Sequence, residues 1–307
     1  MTLKFVWNAW NKFWFESDGS SQMRLFSRVF ATLFFLYVVT RTPDLRIAYT
    51  NEGILPLSVL NDFPETHLRF SILRVFDSIG LVWIMQVTLL ASLLCIIFGF
   101  IPRAAAIVAF ILHLNFLNRN MVMVYGVDMI SSVFLFYICL GDYRRTSATR
   151  KRDWKTELGS VAYRLAQIQV CIIYAFAGLD KVKGPSWWNG DALWYVFFNP
   201  QYAALDFSWV AHFPFVVMAL TYSSVIWEVY FPVLVWVKPV RYPVLIFGVL
   251  LHIGIGLTMS MPSFGFLMMC PYTLFLERTH AEKFALFVRK MINPRKVLLR
   301  KADESYV

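Results

Sequence analysis

The sequence predicts an all-α fold: a polytopic bundle of about eight transmembrane helices, preceded by a helix lying in the membrane interface. Three observations carry this reading. Hydrophobic residues make up 58% of the chain and charged ones only 16%, well below the roughly 25% of soluble domains. The apolar residues fall in long blocks, and mean hydropathy is +0.57. The 29 lysines and arginines outnumber the 19 acids and sit between and after those blocks. That is the pattern of cytoplasmic membrane flanks, not of a nucleic-acid surface, so nucleic acid is not an expected partner.

The elements follow in chain order. Leu3–Phe15 (LKFVWNAWNKFWF) carries Lys4, Asn8, Asn11 and Lys12 on one narrow face of an otherwise aromatic and aliphatic helix, which suits a helix in the interface plane. The expected spans are Met23–Thr40, Ile79–Ile101, Ala104–Leu117, Val122–Leu140, Leu158–Leu179, Val210–Val237, Arg241–Ser260 and Pro262–Leu276. The third and the last are short for a crossing that needs ~20 residues. Residues 1–276 form the expected transmembrane domain and 277–307 a basic cytoplasmic tail. Cys95, Cys139, Cys171 and Cys270 all lie in apolar blocks with no CxxC pair, so they read as packing residues. No metal-binding motif stands out.

Basic residues orient the spans. Arg144, Arg145, Arg150, Lys151, Arg152 and Lys155 cluster between spans four and five. Lys238 and Arg241 sit between spans six and seven, and Arg278, Lys283, Arg289, Lys290, Arg295, Lys296, Arg300 and Lys301 follow span eight. With eight spans and both termini inside, all three groups fall in the cytoplasm of a cell whose inner (plasma) membrane holds the chain. The loops from Arg41 to Ser78 and from Asp180 to Trp209 then face outward.

Span five carries a polar stripe: Arg164, Gln167, Cys171, Tyr174, Gly178 and Lys181. At 100° per residue all six fall within an arc of about 100°. Leu165, Val170, Ile172, Ile173 and Phe176 occupy the other side. A polar stripe within a span points to protein or water, and an arginine at mid-helix needs a partner. Glu228 on span six lies at a similar depth: Arg164 is about six residues, and Glu228 about nine, from the cytoplasmic ends. An Arg164–Glu228 ion pair of structural role is therefore expected. His252 lies on span seven. Asn115, Arg119 and Asp128 cluster on the outer side of spans three and four, the side on which Lys181 emerges.

Lys181 leaves the span inside the stretch IYAFAGLDKVKGPSWWNG. A lysine at a helix end ordinarily extends its ammonium into the headgroups. Here it continues the polar stripe, a Gly184-Pro185 turn follows, and Trp187, Trp188, Trp194 and Trp209 crowd the next loop. A lysine roofed by tryptophan loses water, which favours the neutral amine and so a base.

YAFAGLDKVKGPSWWNGDAL, at Tyr174–Leu193, resembles the hallmark of the HTTM family, the membrane-domain family that includes vitamin K-dependent gamma-carboxylase. The matching residues are Tyr174, Ala177-Gly178, Lys181, Trp188 and Gly190. NRNMVMVYGVD at Asn118–Asp128, WEVYFPVLVW at Trp227–Trp236 and the His252 span extend the resemblance over most of the chain, from span one to about Phe275. It implies that Lys181 is the base that deprotonates a reduced quinone of the menaquinone or vitamin K type. Two features depart from the carboxylases: Asp180-Lys181 stands where they have adjacent lysines, and their long lumenal domain has no counterpart. The chain also resembles the membrane protein that matures a sporulation-delaying toxin, which implies a small protein or peptide partner beside the lipid bilayer.

The expected function is a carboxylase-like, quinone-dependent membrane enzyme that modifies a peptide or small substrate on the extracytoplasmic side. Lys181, His252 and Asp128 are its expected catalytic residues. Tyr174, Trp187, Trp188, Asn115 and Arg119 are expected to bind substrate or cofactor. The alternative is a non-enzymatic lipid-binding or complex-forming subunit, for example in peptide maturation. A transporter ranks behind both, since no pair of similar halves with interrupted helices is evident.

Overall fold

The computed structural model describes residues 3–16, 19–62, 69–144, 153–201 and 205–292, with side chains through Leu286. Arg145, Arg150, Lys151, Arg152, Arg295, Lys296, Arg300 and Lys301, used above to orient the spans, lie outside the described residues, as do the side chains of Arg289 and Lys290.

Helices are the regular structure of the described residues, which contain no strand. Five helices are long and apolar enough to cross a membrane: α2 (Ser20–Thr40), α5 (Ile79–Phe98), α8 (Trp154–Val182), α11 (Pro214–Leu234) and α12 (Lys238–Thr258). By length and composition these make the chain a membrane protein. α6 (Pro102–Arg119) and α7 (Gly126–Leu140) fill the third and fourth expected spans. The eighth is broken: α13 (Pro262–Met269) passes into a 3₁₀ turn at Cys270–Phe275. α1 (Leu3–Phe15) and α14 (Arg278–Ile292) flank the bundle. Short helices α3 (Leu45–Tyr49), α4 (Leu57–Asn61), α9 (Pro185–Asn189) and α10 (Ala192–Phe197) occupy the two long loops.

Local chemistry sets the ends. α5 stops at Gly99, whose φ of +76° suits a residue without a Cβ. Pro102 opens α6 at a position where its missing N–H is no loss. Asp153 caps α8 by accepting a hydrogen bond from the Thr156 amide.

Two groups of helices pack side by side. α2, α5, α6 and α7 form one around Phe26, Phe30, Phe34 and Phe134, whose rings meet edge-on or stacked. α8, α11, α12 and α13 form the other around Tyr174, Trp227 and Phe231. α2 bridges them through the Cys270–Phe275 turn. Ile84, Val87, Ile246 and Leu250 stay exposed on the outer faces, as a lipid-facing surface requires.

Candidate functional site

α8 turns its polar stripe inward. Gln167, Cys171, Tyr174 and Gly178 are buried, while Ile172 and Phe176 are exposed on the opposite face. Val170, assigned above to that outer face, is buried instead.

The stripe meets α11 at Gly178. A Cβ there would come within 2.9 Å of the Val229 amide nitrogen and 3.1 Å of the Glu228 carbonyl carbon. The small residue lets the two backbones touch. Pro232, inside α11, lies one turn beyond Glu228 and cannot donate to its carbonyl.

This close crossing sets the charge pairing. Lys181 Nζ donates to Glu228 Oε2 at 2.5 Å. The glutamate side chain is 8% exposed and the lysine 25%. The Trp187 ring lies under the ammonium, 5.3 Å from Nζ to its centroid. Trp188 is exposed, and its indole N–H donates to the Val182 carbonyl.

The expected Arg164–Glu228 pair is therefore replaced. Arg164 Nε donates to the Phe13 carbonyl of α1 and Nη1 to Gln167 Oε1. Its guanidinium also lies over the rings of Phe13, Tyr163 and Trp236. Carbonyl and aromatic faces satisfy a cation without a carboxylate. Seventeen residues separate it from Lys181, about 25 Å of helix, so one glutamate cannot serve both.

A neutral polar chain lies on the same helix face. Tyr174 Oη is hydrogen-bonded to His252 Nε2 at 2.7 Å and to Tyr272 Oη at 2.6 Å. Gly248 makes room for this: a Cβ there would strike Tyr272 Oη and the Trp227 ring. His252 Nδ1 is buried without a partner. Tyr174 itself is 2% exposed between Trp227 and Phe231. It is a core residue.

The other candidates belong to a second cluster. Asp128 accepts hydrogen bonds from Tyr37 Oη, Arg41 Nη1 and the Tyr125 amide. His113 and Gln86 join them around a void of about 30 Å³, room for a water or two. Asp128 is thus paired with Arg41, and its contacts do not lead to Lys181. Asn115 accepts from the Ile72 amide, and its carbonyl accepts from Ser71 Oγ. Arg119, fully buried, donates to the Leu55 carbonyl. Both tie the first long loop to α6, and Arg119 Nε and Nη2 are buried with no hydrogen-bond partner among the described residues. Of the ten candidates, the structure gathers Lys181, Trp187, Trp188, Glu228, Tyr174 and His252 around the α8–α11–α12 contact.

Sequence reasoning missed Tyr272, Tyr37 and Arg41. Tyr272 stands in the eighth apolar block, where one tyrosine carries no periodic signal. Arg41 directly follows span one and looks like an ordinary flank.

No protein-family model matches the chain, and neither does any curated protein or solved structure.

Proposed function

We propose that the chain is an integral membrane enzyme that takes a proton from a reduced quinone at Lys181 and uses that chemistry to modify a peptide or small substrate. The Lys181–Glu228 pair is the observation that carries the reading. A reduced quinone, when bound, would supply a weakly acidic hydroxyl and two electrons, with oxygen as their acceptor. Ammonium and carboxylate together hold one transferable proton. With that proton on Glu228, the Lys181 amine is free to accept another at Nζ, leaving an ammonium beside a neutral acid. A partly exposed amine with a buried carboxylate behind it is a donor set that fits this task. The Trp187 face and exposed Trp188 offer apolar surface for a ring. Tyr174, His252 and Tyr272 hold the helices that carry the pair, with neutral hydrogen bonds only.

The reading includes a topology. Eight crossings, with α13 and its 3₁₀ turn as the eighth, leave both termini in the cytoplasm and Lys181 on the outer side of the plasma membrane. α1 lies along the inner interface, where Trp7 and Trp10 are exposed and Phe13 reaches Arg164.

Glu228 also weighs against the alternative, an anionic headgroup held by Lys181, because the ammonium already has a carboxylate. The test uses purified protein with reduced menaquinone and oxygen. Quinone consumption should stop in Lys181→Ala and stay stopped in Lys181→Arg, since a guanidinium gives up no proton near neutral pH. Consumption equal to wild type in Lys181→Ala would remove the proposal.

A further inference from the structure

A second polar site lies at the opposite end of the bundle, where α2 and α8 begin, α5 and α6 meet, and α7 ends. A cavity of about 530 Å³ opens there. Its wall carries five cations: Arg24 and Arg28 of α2, Arg103 of α6, Arg144 after α7, and Lys155 of α8. Among the described residues of the lining, Asp142 is the one carboxylate. The other side is apolar, with Ile96, Ile101, Pro102 and Ile107.

The cations are built in by the fold. Arg103 Nη2 donates to the carbonyls of Leu140 and Gly141 at 3.2 and 2.8 Å, closing the end of α7. Arg24 Nη1 donates to the Arg144 carbonyl at 2.7 Å. Arg144 grips Asp142 and Asp153. Lys155 Nζ lies over the Trp154 ring, 5.4 Å from its centroid. The exposed rings of Phe98, Phe100 and Trp154 flank this end, and an exposed tryptophan suits a membrane interface.

We infer that this cavity holds the phosphate of an anionic phospholipid, with an acyl chain along Ile96 and Ile107. Arg144 is met by Asp142 and Asp153, and the cavity gathers four further cations beside it; guanidinium groups match phosphate oxygens in geometry. Basic cavities between transmembrane helices at the cytoplasmic face bind such headgroups. A soluble phosphate ester shares the headgroup chemistry but gains nothing from the apolar wall. A zwitterionic lipid brings its own cation into an already positive site. The inference rests on the topology proposed above and is independent of the chemistry at Lys181.

The test is native mass spectrometry of the full chain released from bilayer discs of phosphatidylglycerol and phosphatidylcholine in equal amounts. Wild type should retain phosphatidylglycerol in preference. Lys155→Gln alters an exposed side chain in the first turn of α8 and leaves the packing intact; Arg28→Gln removes a second cation. Each should lower the preference about fivefold, the equivalent of ~1 kcal/mol per basic residue at the membrane surface. Inorganic phosphate, compared with chloride at matched ionic strength, should not displace the lipid. Equal retention of the two lipids by wild type would overturn the inference. So would an unchanged preference in Lys155→Gln, or displacement by inorganic phosphate, which would assign the cavity to a soluble phosphate ester.

Discussion

Lys181 on α8 pairs with Glu228 on α11, and the two members are unequally buried: the lysine side chain is 25% exposed and the glutamate 8%. Removing either partner leaves the other charge behind, and the cost depends on which one is stranded. Lys181→Met leaves a carboxylate enclosed by protein, at about 3 kcal/mol. Glu228→Gln leaves an ammonium on a flexible stem that can reach water, so its loss is smaller. Adding Glu228→Gln to Lys181→Met should restore part of the stability. Thermal unfolding in detergent micelles checks the order: Lys181→Met lowest, the double variant between it and wild type. A double variant no more stable than Lys181→Met would mean that Glu228 does not depend on the lysine.

Gly178 fixes the register that makes this pair. Gly178→Ala places a methyl group against the Val229 amide, a backbone atom that cannot step aside. Overpacking at such a crossing costs about 1–3 kcal/mol. The expected result is a lower melting temperature, while Phe176→Leu on the exposed face of the same helix leaves it unchanged. Equal melting temperatures for Gly178→Ala and wild type would show that the helices are not held together at this point.

Apolar blocks and helical periodicity made the helices and the inward stripe of α8 legible in the sequence. Each expected span from the first to the seventh coincides with a helix, with ends moved by a few residues, and five of these helices are long and apolar enough to cross a membrane. Pairing between helices was less legible. Depth counted from presumed span ends matched Arg164 to Glu228. α8 in fact begins at Trp154 rather than Leu158, and α11 ends at Leu234 rather than Val237, so Arg164 lies ten residues from its end and Glu228 six from its own. Helix register follows from where a glycine lets backbones touch, and Gly178 sets Lys181 opposite Glu228. The Asp128 cluster was misread for another reason. Its partner Arg41 sits beyond the end of α2 and reaches back through a side chain, and no periodic pattern records that.

Tyr174 is the hub of the neutral chain, since its hydroxyl meets both His252 Nε2 and Tyr272 Oη. Tyr174→Phe leaves two buried polar atoms without that partner, and Tyr272→Phe leaves one fewer. An unsatisfied buried group costs about 1–3 kcal/mol. Tyr174→Phe should therefore lower the melting temperature further than Tyr272→Phe, with the double variant close to Tyr174→Phe alone because the two share one network. Independent, additive losses would show that the hydroxyl is not shared.

The clasp at the start of α8 should give the protein an acid-sensitive element. Arg144 donates to both Asp153 oxygens, and Asp153 also accepts from the Thr156 amide and hydroxyl. The Arg144 guanidinium, helped by those Thr156 bonds, holds the Asp153 carboxyl far below the usual carboxylate range. The folded group therefore keeps its charge at a pH where the unfolded one, near ~3.9, takes up a proton. The unfolded state binds more protons as pH falls, so the clasp contributes fully above about pH 5 and is lost progressively below it. Asp153→Asn cannot lose what it lacks. Between pH 6 and pH 3, on the order of one unfolded carboxylate titration, the gap in melting temperature between wild type and Asp153→Asn should shrink. Protection of the Trp154–Glu157 amides, taken relative to the intrinsic exchange rate at each pH, should fall over the same range in wild type alone. A constant gap across this range would mean that Arg144 does not hold Asp153 in the folded protein.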